Sequence, residues 1–221
     1  MAFASCASQD ILEERPWRRA LPPPTAASTH VVQGFVGITE FTTADTRTGS
    51  PGIEILDSGI ETFPMLGGAF QRALWNGPIQ FGLEGGLSFG WDSNATLLST
   101  STGAIVTESE NDVFLLDGFA GVYANLPLRA GIRLYAGAGP VLQYGAVSAT
   151  FLSPGSSPEP VEEDGFGGGW YARTGVDIVV SPGTMLGFGI RWIDTYVDLG
   201  PTLRDLQLEG MQFGFTVSQG F

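Results

Sequence analysis

The last residues of the chain, 208–221, alternate between two kinds of side chain. One set is apolar and the other is glycine or small polar; the two sets are Met211, Phe213, Phe215, Val217 and Phe221, and Gly210, Gln212, Gly214, Thr216, Ser218 and Gly220. Because successive side chains of a strand point to opposite faces, the segment is predicted to be a two-faced strand that runs to the final residue. Glycine on one face indicates a crowded interior, so the apolar set is predicted to face outward into lipid.

The same period of two recurs upstream. It is clearest over residues 79–91, where Phe81, Leu83 and Leu87 alternate with polar residues or glycine. It is also found over residues 31–41, 63–74, 113–124, 128–146, 170–178 and 186–193, although the first two of these are diluted by glycine and Pro64. Together with the last strand, these segments predict eight strands.

The connections between the predicted strands are alternately long and short. Tight turns are predicted at residues 75–78, 125–127 and 181–183, and long links at 42–62, 92–112, 147–167 and 197–207. All long links then lie at one end, and both termini lie with the short turns at the other. This layout predicts an all-β fold, an eight-stranded antiparallel up-and-down transmembrane β-barrel with short periplasmic turns and four longer extracellular loops.

The C-terminal strand resembles that of bacterial outer-membrane β-barrel proteins. Residues 134–139 (LYAGAG) are also similar to a strand common in small barrels of this kind. The resemblance covers residues 31–221 and is closest to the eight-stranded OmpA/OmpX-type barrels. It implies a location in the bacterial outer membrane, contact with outer-membrane lipids, and recognition by the barrel-assembly machinery. The assembly signal that it implies consists of Phe213, Phe215, Val217 and Phe221.

Composition excludes several other classes of protein. Hydrophobic residues make up 43% of the chain and charged residues only 15%, and no apolar run approaches the roughly 18 residues that a membrane-spanning helix needs. The net charge of -13 argues against a nucleic-acid partner. The single cysteine, Cys6, precludes an intrachain disulfide, and no Cys/His cluster has zinc-ligand spacing. No metal or cofactor is therefore predicted.

The first thirty residues lack the period of two. They contain charges and the run Pro22-Pro23-Pro24, so residues 1–30 are predicted to be a flexible leader and residues 31–221 the barrel domain. A secretory signal would have a basic start and an apolar stretch of about 7 to 15 residues. Neither is present. Cys6 is therefore either an incidental cysteine in a truncated or unstructured leader, or a lipidated residue at the end of an export signal whose apolar part lies upstream of a misassigned start.

Enzymatic activity is not predicted. The only histidine, His30, precedes the first strand at the periplasmic end, away from the long loops. This position disfavours a Ser-His or Asp-His mechanism at the outer face. The carboxylates of Glu162, Glu163 and Asp164 lie in a loop with proline and glycine, where solvated surface charge is the simpler interpretation.

Charged residues of both signs are predicted to face the lumen near the middle of their strands. The acids are Glu84, Asp117 and Asp177, and the bases are Arg133, Arg173 and Arg191. Since the interior of an eight-stranded barrel is just wide enough for side chains, these charges must pair. A static ion-pair network that fills the barrel is the favoured interpretation, with Glu84 and Arg133 as the first candidate pair. A gated pathway for ions or small solutes is the alternative.

The predicted extracellular loops are acidic. Residues 92–112 and 147–167 contain acids and no base; serine and threonine are frequent in the first, and serine, glycine and proline in the second. Such loops could hold divalent cations or surface ligands, although solvation alone also explains them. The predicted function is a plugged outer-membrane barrel with a structural or surface-interaction role. The alternative is a narrow channel or transporter for small solutes, which an opening in the wall near Pro140 would favour.

Overall fold

The chain folds into a closed, all-β barrel. The computed structural model describes residues 28–48, 53–57, 62–101, 105–128, 131–151, 159–200 and 203–221. The strands are β1 (His30–Thr48), β2 (Ile53–Asp57), β3 (Thr62–Asn76), β4 (Gln80–Ser101), β5 (Ile105–Pro127), β6 (Ile132–Phe151), β7 (Glu159–Ser181), β8 (Thr184–Asp198) and β9 (Leu203–Gly220). No helix among the described residues is long and apolar enough to cross a membrane.

Antiparallel pairing closes eight of these strands into a ring. Each long strand pairs with the next along the chain, and β1 pairs with β9 from Val31–Gly220 to Thr48–Leu203. The ninth strand, β2, is short and pairs only with the far end of β4. A ring leaves no unpaired strand edge in the bilayer. The predicted eight-stranded up-and-down architecture is therefore confirmed.

The two faces of the wall differ as the alternation predicts. In β9, Thr216 and Ser218 are buried, whereas Phe215 is 71% exposed and Val217 is 57% exposed. Other strands also carry large apolar residues on the outside, including Leu87, Val122 and Leu142, each more than 60% exposed. An apolar exterior on this scale cannot be stable in water, so the outer wall is a lipid-facing surface.

Strand pairing extends further than the alternation predicts. Residues 92–112 and 147–167, predicted as loops, are largely strand: β4 and β5 remain paired from Asp92–Val113 to Ser101–Ile105, and β6 and β7 pair as far as Phe151–Glu159. The physical reason is that a strand beyond the bilayer still needs its backbone hydrogen bonds but no longer needs apolar side chains outside. These long hairpins lie at one end of the barrel, which we call the hairpin end.

Short links join the strands at the opposite end, the turn end. They are residues 77–79, 128–131 and 182–183. The turn predicted at residues 125–127 is wrong, because Asn125 to Pro127 belong to β5 and pair with Tyr135 to Arg133. Pro127 is tolerated as the last residue of its strand. Gly183 has a φ of 81°, which allows the tight link between β7 and β8.

The interior is apolar at the hairpin end. There the buried residues form a cluster that we call the apolar cap: Phe63, Val113, Leu115, Val147, Val197, Leu199, Leu206 and Leu208. The polar residues predicted for the lumen lie nearer the turn end, together with buried residues that include Phe119, Tyr171 and Ile193. The lumen is therefore layered, which the sequence-based prediction of a small, polar interior did not anticipate.

Candidate functional site

Six charged residues meet in the lumen as three ion pairs. Arg173 Nη2 lies 2.5 Å from Glu84 Oε2 and Arg191 Nη2 lies 3.1 Å from Asp117 Oδ1, while Arg133 pairs with Asp177. All six residues are buried, with exposures of 0–8%. Each arginine neutralises one acid, so the lumen carries no net charge from these residues. We call the six residues and their hydrogen-bond partners the lumenal network.

Glu84 on β4 accepts hydrogen bonds from β3 and β7. Arg173 Nε lies 3.0 Å from Glu84 Oε1, the Tyr171 hydroxyl donates to the same oxygen at 2.8 Å, and Gln71 Nε2 donates to Oε2 at 3.0 Å. Arg173 also donates through Nη1 to Gln33 Oε1 at 2.9 Å. A buried carboxylate that is satisfied in this way fixes its neighbours in place.

The Arg133–Asp177 pair joins residues directly opposite on β6 and β7. Arg133 Nε donates to Asp177 Oδ2 at 3.0 Å, and the Thr216 hydroxyl donates to Oδ1 at 2.8 Å. The pairing of Arg133 with Glu84 that we expected is wrong. These two residues are instead bridged by Gln71, which accepts from Arg133 Nη1 at 3.4 Å and donates to Glu84.

The third pair, Arg191 and Asp117, links β8 to β5. Both terminal nitrogens of Arg191 lie 3.1 Å from Asp117 Oδ1. Ser88 donates to Oδ2 at 2.7 Å, and Arg191 Nη1 also donates to Gln212 Oε1 at 3.1 Å. Arg191 Nε is a buried donor that has no hydrogen-bond partner.

Aromatic rings cover the guanidinium groups. The Arg191 guanidinium carbon lies 4.5 Å from the centroid of Phe119 and 5.2 Å from that of Tyr171, and the Arg173 carbon lies 5.4 Å from that of Tyr135. These cation–π contacts place apolar surface where water would otherwise solvate the charges. They strengthen the pairing because they lower the local dielectric constant.

Glycines make room for the carboxylates. A Cβ on Gly137 would overlap the carboxylate of Glu84, and a Cβ on Gly187 would overlap that of Asp177. The repeated glycines of the lumen-facing pattern thus lie against particular large or charged side chains of neighbouring strands. This explains why glycine is on the inner face.

The space left among these residues is small. A cavity of about 30 Å³ lies between Arg173, Arg191, Gln33 and Thr216. A volume of this size holds about one or two water molecules. The arrangement can therefore hold water locally.

The wall near Pro140 is closed. Pairing between β5 and β6 passes from Phe119–Val141 to Val122–Ala138, so Pro140 and its neighbours are skipped. A Cβ on Gly139 would nevertheless overlap the carbonyl oxygen of Ala120, so the two backbones are in close contact. The opening that would have favoured the transporter alternative is therefore absent from this seam.

A closed ring of eight long antiparallel strands with a lipid-facing exterior is diagnostic of one architecture. The chain has the fold of an outer-membrane β-barrel. It is similar to OprG from Pseudomonas aeruginosa with a TM-score of 0.54 at 12% identity, and the match covers 89% of this chain and 98% of OprG. Weaker likenesses are to Neisserial surface protein A (0.41, 14% identity, covering 88% and 98%) and to Ail of Yersinia pestis (0.42, 10% identity, covering 86% and 96%). No protein-family model matches the chain, and no curated protein is significantly similar in sequence.

The predicted assembly signal lies on the outer face of the barrel at the β1–β9 seam. Phe221 is 65% exposed, and its backbone N–H donates to the carbonyl oxygen of His30 at 3.0 Å. The His30 ring stacks on Phe221 and Phe70, with centroid distances of 5.9 and 5.8 Å. His30 begins β1, one residue before the predicted barrel boundary, and residues 1–27 of the predicted leader lie outside the described residues.

An acidic cleft of about 460 Å³ lies on the wall at the hairpin end. Its lining includes the aromatic residues Trp91, Phe114 and Tyr144 and the acids Asp92, Asp112, Glu162, Glu163 and Asp164. The acidic triplet singled out in the sequence therefore belongs to this cleft. Within the described ranges, no group of three or more acidic, histidine or cysteine side chains could hold a metal ion.

Proposed function

We propose that this protein resides in the bacterial outer membrane as a plugged barrel with a structural or surface-interaction role. The observation that carries the proposal is the lumenal network, in which three buried ion pairs and their partners occupy the interior. The outer-membrane location is supported by the apolar exterior and by the fold shared with OprG. Outer-membrane lipids and the barrel-assembly machinery are its proposed partners.

Two layers of the lumen oppose conduction. An ion that entered from the hairpin end would first meet the apolar cap, whose members Val197 and Leu208 are completely buried. Apolar constrictions exclude water and thereby ions. An ion that passed the apolar cap would then meet the lumenal network. Separating one ion pair there leaves an unpaired buried charge, at a cost of about 3 to 5 kcal/mol.

The surface role is proposed for the hairpin end. The acidic cleft combines carboxylates with the rings of Trp91, Phe114 and Tyr144. A cleft of one charge sign attracts the opposite sign from solution, and aromatic faces favour cations further. We therefore propose cationic groups, carried by divalent ions or by basic surface ligands, as the class that this end attracts.

Neither catalysis nor a cofactor belongs to the proposal. His30, the only histidine of the chain, is stacked between two phenylalanines at the turn end. A hydrolytic centre at the hairpin end would thus lack the usual general base. We expect the purified barrel to be inactive as an ester or peptide hydrolase.

Conductance in planar bilayers tests the plug. We expect the native barrel to give no stable current, because the lumenal network and the apolar cap block the lumen in series. A variant that combines Glu84→Ala with Val197→Ala should show conductance steps, and Val122→Ala, which removes a lipid-facing side chain, should resemble the native barrel. A large, stable current through the native barrel would instead support the narrow channel.

A further inference from the structure

Arg72 is a charged residue on the lipid-facing wall near the turn end. It lies on β3, directly opposite His30 on β1 and Leu83 on β4. Its neighbour Gln71 points into the lumen and is completely buried, so Arg72 points outward, where it is exposed. Side chains opposite one another on adjacent strands lie about 4.5 to 5.5 Å apart at Cβ, so His30 and Arg72 share one patch of the wall.

The side chain of Arg72 lacks the partners that the lumenal arginines have. Arg133, Arg173 and Arg191 are all paired in the lumen, whereas the guanidinium group of Arg72 makes no ion pair or hydrogen bond within the described part of the chain. The described acids on the outside of the barrel lie at the hairpin end, at the far side of the membrane. No carboxylate among the described residues is therefore close enough to neutralise Arg72.

Large apolar residues surround Arg72 on the wall. Leu74 is 65% exposed and Trp75 is 59% exposed, and both lie between Arg72 and the turn; Phe70 and Leu83 flank it on the other sides. Arg72 thus lies within the lipid-facing band rather than beyond it. An arginine in this position extends its charged group along the wall toward the headgroup layer.

We propose that Arg72, His30 and Trp75 form a binding site for the phosphate of an anionic phospholipid in the periplasmic leaflet. The proposal rests on the complementary charges of the Arg72 guanidinium group and the lipid phosphate. A guanidinium group binds phosphate through two parallel hydrogen bonds, and at this depth the lipid headgroup supplies the anion that the protein does not. The imidazole of His30 and the indole N–H of Trp75 are further donors on the same part of the wall.

The surrounding surface fits the rest of the lipid. Phe70, Phe81 and Leu83 are each more than 40% exposed beside Arg72, and they provide apolar surface for acyl chains. His30 is held on this surface by stacking between Phe70 and Phe221. The site therefore joins a cation to an apolar contact surface for the lipid tails.

The inference rests on the proposed function, because it requires the turn end to lie in the periplasmic leaflet. Native mass spectrometry of the detergent-solubilised barrel with added phosphatidylglycerol or phosphatidylcholine tests it. We expect phosphatidylglycerol to bind more tightly than phosphatidylcholine. Arg72→Gln should weaken phosphatidylglycerol binding by about fivefold, the effect of removing one cation at an anionic surface. Arg72→Lys keeps the charge but not the two parallel hydrogen bonds, so it should lose less affinity than Arg72→Gln but not match the native barrel.

Glu40→Gln is the matched control, because Glu40 is exposed on the outer wall toward the opposite end of the barrel. It should leave phosphatidylglycerol binding unchanged. Equal affinity of the native barrel and Arg72→Gln, or equal binding of the two lipids, would overturn the site. A barrel that cannot be inserted into vesicles of either lipid would instead contradict the proposed membrane function, so the two failures are distinguishable.

Discussion

Glu84 and Arg173 show how single residues tie this barrel together. They lie on β4 and β7, which are not neighbours in the ring, so their ion pair crosses the lumen. Asp117 and Arg191 likewise link β5 to β8, whereas Arg133 and Asp177 are opposite one another on adjacent strands. Two of the three ion pairs therefore cross the lumen, and they resist changes in the shape of the barrel.

Replacement of Glu84 tests how much an ion pair across the lumen contributes to the free energy of unfolding. Glu84→Ala leaves Arg173 as an uncompensated buried charge, so we expect it to lower the free energy of unfolding by about 3 to 5 kcal/mol. The double variant with Arg173→Ala should cost less than the sum of the single variants, because the isolated charge is gone. Urea unfolding of the barrel in detergent micelles measures all three values.

The pair Glu84→Ala and Arg133→Ala supplies the control for this experiment. These residues do not pair with each other, and the amide of Gln71 bridges them. Their coupling energy should therefore be smaller than that of Glu84 and Arg173. Equal coupling for the two pairs, or strict additivity for both, would contradict the described network.

The sequence predicts which charges face the lumen but not which of them meet. Alternation along one strand is enough to place Glu84, Asp117 and Arg133 inside. Partner choice depends on how far each strand is staggered around the ring, and no local pattern records that stagger. For this reason the expected Glu84–Arg133 pair was wrong although both residues are lumenal.

At the scale of the strands, the sequence shows where a strand crosses the membrane but not where the strand ends. Apolar alternation marks only the part of each strand that is in contact with lipid. Beyond it, β4 and β5 continue as a paired hairpin that looks like a loop in the sequence. Val147 and Leu206 of the apolar cap lie in such segments, so alternation could not identify them as interior residues.

Strand β9 and the β4–β5 hairpin are expected to respond differently to deletion. Removing Phe221 takes away the end of the proposed assembly signal and its backbone hydrogen bonds to His30. Shortening the hairpin by residues 96–110 removes only pairing beyond the lipid-facing band. We expect the first change to reduce the folded fraction in outer-membrane preparations far more than the second. Similar folded fractions for the two variants would count against the signal.

At the scale of the whole molecule, the stability of the barrel depends on ring closure. The β1–β9 seam joins the first and last strands over most of their length. Because each of the eight long strands has two partners, the ring offers no free edge at which unfolding can begin. The fold as a whole was predictable from the sequence, since alternation and the order of links suffice to define an up-and-down ring.

Electrophoresis of unheated samples tests the closed ring. We expect the barrel in detergent to remain compact and to migrate faster than after boiling, because the seam resists opening at room temperature. The measurement is the shift in apparent mass on heating. A chain with identical mobility in both conditions, or one recovered in solution without detergent, would contradict the membrane barrel.

The apolar cap has a consequence for the cell that carries this protein. A pore adds a leak to the envelope in proportion to its copy number, which limits how many copies a bacterium can tolerate. If the barrel is plugged as we propose, the seal formed by Phe63, Leu115, Val197 and Leu208 adds no such leak. The proposal therefore allows high copy numbers, because acidic surface at the hairpin end is presented without weakening the permeability barrier to toxic compounds.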